Sequence, residues 1–171
     1  PLAAMAPYAP NWRVLLEEAR DRFAGGIVYP YLQDLSLTDP CMTPFLQACS
    51  EATFPLWINA CTGDMRFRAR GTVCRNVSVD ELLAFIKDAP ENSYVVQGAS
   101  LALIQAGLKA CTDASRLRFE ISRLTDNSTA LTSIVDQFGW DQLVLGSEFP
   151  FRDLRTVRVT AEVLCQAASE G

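Results

Sequence analysis

The residues best placed by type and spacing to do chemistry lie in Gln142-Leu143-Val144-Leu145-Gly146-Ser147-Glu148-Phe149-Pro150-Phe151. A short apolar run ends in a glycine, a small hydroxyl residue, a carboxylate and a proline. This is the pattern of a buried strand that delivers Glu148 at its carboxyl end. In folds built of alternating parallel strands and helices, reacting groups gather at that end. Glu148 is there either a general base tuned by partial burial or a carboxylate that accepts backbone N–H groups in the turn. The chain contains no histidine, so a site around Glu148 lacks the commonest metal ligand and the commonest general base.

A second set of candidates surrounds the apolar run 56–61. Strand alternation puts Trp57, Asn59 and Cys61 on one face, where an aromatic ring, an amide and a thiol suit a small polar ligand. Cys61 as a nucleophile would lack the usual histidine to deprotonate it, and a structural thiol is the competing reading. Asp64 and Arg66 follow on a polar stretch, 64–76, that also carries Arg68, Arg70 and Arg75. Asp64 is a candidate catalytic carboxylate, and with Arg66 it either orients a carboxylate-bearing ligand or forms an ion pair within the loop. Gln97 closes the run 94–97. Arg118 and Glu120 share one face of the run 117–121, where they pair with each other or with a helix.

The elements that must position these residues alternate. Strands are expected at 27–29, 56–61, 94–98, 117–121 and 142–146. Helices are expected behind Asn11, at 44–53, behind the capping sequence Ser78-Val79-Asp80-Glu81, at 99–110, at 129–138 and at 155–168. Short apolar strands separated by helices of 10 to 15 residues mean βαβ units and a parallel sheet. The fold class is therefore α/β, a single domain over 1–171. Five strands leave the sheet either open and doubly wound or part of an eight-stranded barrel.

Gly139-Trp140-Asp141-Gln142-Leu143-Val144-Leu145-Gly146-Ser147-Glu148-Phe149-Pro150 resembles the last-strand motif G-x-D-R-[LIV]-L-F-G-S-D-x-P of the amidohydrolase superfamily, in particular its amidohydrolase-related TIM-barrel hydrolases. Residues 26–30 resemble that family's fourth strand and Pro55-Leu56-Trp57-Ile58-Asn59 its fifth. Asn92-Ser93-Tyr94-Val95-Val96-Gln97-Gly98 resembles the sixth, and 117–122 the seventh, V-Y-x-D-x-S. The resemblance implies the carboxyl-terminal five-eighths of a (β/α)8 barrel with about five strands. Family catalysis holds divalent metal with histidines and a last-strand aspartate. The corresponding positions here are Asn59, Gln97 and Glu148, and neutral amides are poor zinc ligands. No metal site or cofactor is therefore expected, with zinc or manganese as the alternative.

Two functions follow. The first is a degenerate amidohydrolase-like domain without metal-dependent catalysis, acting as a binding or association subunit. The second is a hydrolase or decarboxylase-like enzyme whose remaining site residues lie in a missing N-terminal segment or in a partner chain. An open sheet invites pairing, so a homodimer or a partner chain is expected to cover the edge near Ile27. A net charge of −5 argues against nucleic acid. No apolar stretch is long enough to span a membrane, and the first residues do not read as a signal peptide. Starting at Pro1, the chain reads as a trimmed product or a fragment of something longer. The six cysteines lack zinc-binding spacing and are expected to be buried thiols in a reducing cytoplasm, which makes the sequons at Asn76 and Asn127 chance matches.

Overall fold

The computed structural model describes residues 1–61, 76–124 and 128–146, together with Glu162 and Cys165. Six parallel strands form one sheet in strict sequence order. They are β1 (Ala3–Ala4), β2 (Gly26–Val28), β3 (Leu56–Asn59), β4 (Tyr94–Gln97), β5 (Leu117–Glu120) and β6 (Leu143–Val144). Between them lie α1 (Trp12–Arg20), α2 (Met42–Glu51), α3 (Val79–Asp88), α4 (Leu101–Ala110) and α5 (Ser128–Phe138), with a 3-10 turn at Ser122–Leu124.

That order decides between the two architectures. A doubly wound sheet reverses its strand order at a switch point, which sends helices to both faces. Here the order never reverses, and the right-handed crossover rule for parallel strands then puts successive helices on one side. The burial pattern agrees. Leu56, Tyr94 and Leu117 stand in register, as do Ile58, Val96, Phe119 and Leu143. These residues belong to or pack against the main core, alongside Phe45, Leu46 and Cys49 of α2, Leu82 and Phe85 of α3, Leu103, Ile104 and Leu108 of α4 and Leu131 and Ile134 of α5. The opposite face carries Ile27, Trp57, Val95 and Arg118 in one row. This is the arrangement of part of a barrel, with the helices outside.

Several sequence expectations change. β1 adds a sixth strand, and its pairing of Ala4 with Ile27 covers the edge expected to be open at Ile27. The sheet edge therefore lies at β1. Asn11 precedes α1 without a side-chain cap bond, and α1 buries Leu16 and Ala19 while Leu15 stays exposed. Ser78 does cap α3, accepting from Glu81 N at 3.1 Å. Glu81 does not complete the reciprocal box. Its Oε1 accepts instead from Leu37 N at 2.7 Å and Ser36 Oγ at 2.9 Å, tying the β2–α2 connection to α3. The helix expected at 155–168 lies outside the described residues except at Glu162 and Cys165, both helical.

Candidate functional site

The carboxyl ends of β3, β4 and β5 bring together residues far apart in sequence. Asn59 and Gln97 are cross-strand partners, so their side chains leave the same face about 4.8 Å apart along the hydrogen-bonding direction. Trp57, Asn59 and Cys61 are each half-buried, whereas Leu56, Ile58 and Ala60 between them are buried. The expected alternation holds. Cys61 N donates to Asn59 Oδ1 at 3.3 Å, which curls the chain back as it leaves β3. Val77 N donates to Ala60 O at 3.0 Å, so the chain returns to the end of β3 after the intervening residues.

β4 ends in Gly98 with φ of +68°, a conformation that side-chain-bearing residues adopt at a cost of about 1 kcal/mol or more. Its open α-carbon faces three polar groups. A methyl group built there would stand 3.6 Å from Arg123 Nε, 3.6 Å from Cys61 O and 3.7 Å from Asn59 Oδ1. Arg123 closes the group from the 3-10 turn after β5, donating from Nη1 to Cys61 Sγ at 3.2 Å. The Cys61 carbonyl oxygen, the Asn59 amide oxygen and the Arg123 guanidinium thus converge over one glycine, with the Cys61 thiol held against the same guanidinium.

The turn that carries Arg123 is fixed by Glu120. This carboxylate is 6% exposed. Its Oε1 accepts from Ser122 N at 2.8 Å and its Oε2 from Ser122 Oγ at 2.9 Å. Glu120 does not turn to Arg118, as one of the sequence readings had it. It also lies hard against β6's exit, where a methyl group on Gly146 would fall 2.1 Å from Glu120 Oε1. Glu148 follows two residues later.

Of the seven candidate residues, Trp57, Asn59, Cys61 and Gln97 share this face, and Glu148, Asp64 and Arg66 lie outside the described residues. Sequence reasoning missed Arg123 and left Glu120 unranked. The signal for Glu120 and Ser122 was present, since they occupy the D and S positions of the seventh-strand pattern. Arg123 had no such signal. Its contact with Cys61 spans 62 residues. The cysteines also divide differently from the expectation. Of the described cysteines, Cys49 and Cys111 are buried, Cys41 and Cys61 half-buried and Cys165 exposed.

The described donor set does not fit zinc or manganese. Among the described residues no three of His, Cys, Asp and Glu cluster as metal ligands. Asn59 and Gln97 offer neutral amides, and both oxygens of Glu120 already accept hydrogen bonds from Ser122. Away from this face, a concavity of about 170 Å³ lies between α2 and α3, lined by Leu37, Met42, Leu46 and Phe85 among others. No described helix is long and apolar enough to cross a membrane.

No protein-family profile matches the chain, and no curated protein does. Solved structures match in fold. The 2,6-dihydroxybenzoate decarboxylase complexed with 2,6-dihydroxybenzoate superimposes with a TM-score of 0.66 at 11% identity, covering 94% of this chain and 63% of that one. The 2,6-dihydroxybenzoate decarboxylase from Rhizobium gives 0.67 at 11% identity, with the same coverage. The 5-carboxyvanillate decarboxylase LigW from Sphingomonas paucimobilis gives 0.67 at 14% identity, covering 95% of this chain and 60% of its own. The chain thus has the α/β fold of a partial TIM barrel, shared at fold level with these decarboxylase structures. It spans less than two thirds of the length of those enzymes.

Proposed function

We propose that this chain forms part of a decarboxylase-like barrel that binds a small aromatic carboxylate at the carboxyl ends of β3, β4 and β5. The observation that carries the reading is the convergence of Asn59, Cys61 and Arg123 over Gly98. It sits at the functional end of a fold shared with three decarboxylase structures.

The chemistry asks little of the protein. Decarboxylation of an electron-rich ring exchanges a C–COO⁻ bond for a C–H bond. A proton is delivered to the carboxylate-bearing carbon, the C–C bond breaks, its electron pair returns to the ring and CO2 leaves. The protein must hold an anion, seat a ring and deliver one proton. Arg123 supplies a cation of fixed planar geometry. Asn59 and Gln97 supply amide donors and acceptors for ring hydroxyls, and Trp57 supplies an aromatic wall. Glu148, just beyond Gly146, is assigned the proton transfer. Asp64 and Arg66, on the stretch that follows β3, are assigned to orienting the ligand.

A second reading rests on Asn59 and Gln97 standing where the family pattern has histidine. In it the domain keeps the ligand site, performs no turnover and serves association, with a second copy or a partner chain pairing along β1. Titration calorimetry with 2,6-dihydroxybenzoate and 5-carboxyvanillate, followed by measurement of released CO2, separates the readings. Binding with CO2 release supports the enzyme, and binding without release supports the association domain. Failure to bind either compound at concentrations on the order of 1 mM rejects the ligand site altogether.

A further inference from the structure

We infer that Glu120 is the positioning residue of this site, setting the place of the Arg123 guanidinium through the Ser122 turn and bracing the β6 exit that leads to Glu148. The inference deepens the reading above and rests on it for its ligand-binding consequences. The placement of Arg123 is open to direct measurement without any ligand.

A carboxylate at the end of a parallel strand can hydrate, capture a ligand or organise the backbone. Glu120 is 6% exposed, so water does not solvate it freely. Its two oxygens accept the backbone N–H and the hydroxyl of the same residue, Ser122, at 2.8 and 2.9 Å. Two bonds to one residue fix both position and orientation, because neither can swing without breaking the other. Arg123 is the next residue. Its long side chain must leave the turn in one direction to place Nη1 3.2 Å from Cys61 Sγ on β3, two strands away. The same carboxylate fills the space beside Gly146, where a methyl group would overlap Glu120 Oε1 at 2.1 Å and Cδ at 2.5 Å. One buried side chain thus touches the outgoing backbones of both β5 and β6, at Ser122 and at Gly146. A carboxylate kept only to satisfy a turn would need neither the Gly146 contact nor a neighbouring residue that reaches the β3 exit.

Position and charge are separable by substitution. In Glu120→Gln the amide oxygen still accepts from Ser122 N and the amide nitrogen can donate to Ser122 Oγ, so the turn is retained. Glu120→Ala removes both contacts, and Gly146→Ala displaces the carboxylate while leaving it in the chain. The readouts are the Arg123 Nε–H resonance in arginine-labelled protein and the Kd of 2,6-dihydroxybenzoate. Glu120→Ala and Gly146→Ala should shift or broaden that resonance and weaken binding by about tenfold or more. Glu120→Gln should leave the resonance in place and stay within about threefold of the parent affinity. In an Arg123→Gln background, Glu120→Ala should weaken binding no further, since its effect runs through the missing guanidinium. If Glu120→Ala does not fold, Gly146→Ala carries the same comparison. An unmoved Arg123 resonance in a folded Glu120→Ala or Gly146→Ala variant overturns the inference, as do additive effects of Glu120→Ala and Arg123→Gln. If the parent protein binds no ligand, the functional reading fails and the resonance alone decides the positioning role.

Discussion

Gly107→Ala tests how tightly α4 is seated on the strand that carries Glu120. Gly107 lies in the last turns of α4, over the ring of Phe119. A methyl group there would stand 2.2 Å from Phe119 Cζ, 3.0 Å from Cε2 and 3.2 Å from Cε1. Carbon atoms prefer about 3.5–4.0 Å, so more than 1 Å of overlap must be relieved. The ring cannot yield easily, because Phe119 is fully buried between the β4 and β6 residues Val96 and Leu143. Two effects oppose each other. Alanine gains about 0.5–1 kcal/mol over glycine in a helix interior, while overpacking a close-packed core costs about 1–3 kcal/mol. The depth of the overlap puts the cost at the upper part of its range, leaving a net loss of about 1–2 kcal/mol. In a chain of this size that lowers Tm by roughly 2–8 °C. Urea unfolding and calorimetry of Gly107→Ala, Phe119→Leu and the double variant would measure it. The double variant should be more stable than the two single losses predict, because the smaller side chain makes room for the methyl group. Gly107→Ala as stable as the parent protein would refute the packing argument and show that helix propensity wins at this position.

Glu81→Ala should cost about 2–3 kcal/mol, because it leaves the buried Leu37 N–H without its 2.7 Å acceptor and frees Ser36. Glu81→Gln keeps an acceptor and should lose less than half as much. Amide exchange at Leu37 reads the local effect, and equal losses in the two variants would contradict it. Burial pushes the Cys49 thiol from 9.0 up to about 12, and burial also raises the Tyr94 phenol. Between those limits the unfolded chain releases its thiol proton first while the folded chain keeps it. Stability therefore falls as pH rises from 9 toward 12, by about 2 kcal/mol at roughly pH 10.5 from Cys49 alone. Urea midpoints across that range should fall less steeply in Cys49→Ala, and parallel slopes in the two proteins would count against the assignment. Iodoacetamide at about pH 8 should leave Cys49 unmodified in the folded chain.

The parts of this fold legible in the sequence are those that obey a period. β3 is a run whose buried positions alternate with half-buried ones, and that alternation placed Trp57, Asn59 and Cys61 together; β4 and β5 are short, mostly buried apolar runs. The Ser78 cap was legible for the same reason, being a local pattern with a local partner. β1 was not, because Ala3–Ala4 is two residues long and neither carries a side chain that declares a strand. Its consequence was large, since it moved the sheet edge away from Ile27. Glu81 misled because a capping box and a tertiary tie use the same residue, and the loop at Ser36 and Leu37 competes for the carboxylate. The Arg123–Cys61 contact joins β5's exit to β3's exit, and no local spacing rule encodes a bond of that range.

The pattern of losses around the site also bears on which chemistry the proposed reading can sustain. Hydrolysis of an amide or ester needs an activated water and stabilisation of a tetrahedral oxyanion. A bound metal ion would meet both needs, and the neutral amides of Asn59 and Gln97 are poor ligands for one. Decarboxylation of a hydroxylated aromatic acid places a smaller demand, because the ring itself accepts the electron pair and the hydroxyl groups make it basic. What remains is orientation of an anion, a dry aromatic seat and one proton donor. The described residues offer a guanidinium fixed through a buried carboxylate, paired amides in register and a half-buried tryptophan. Neutral amides at Asn59 and Gln97 therefore weigh against the hydrolase alternative far more than against the decarboxylase one. In the proposed reading the proton falls to Glu148, and Glu148→Gln should abolish CO2 release while leaving ligand binding in place.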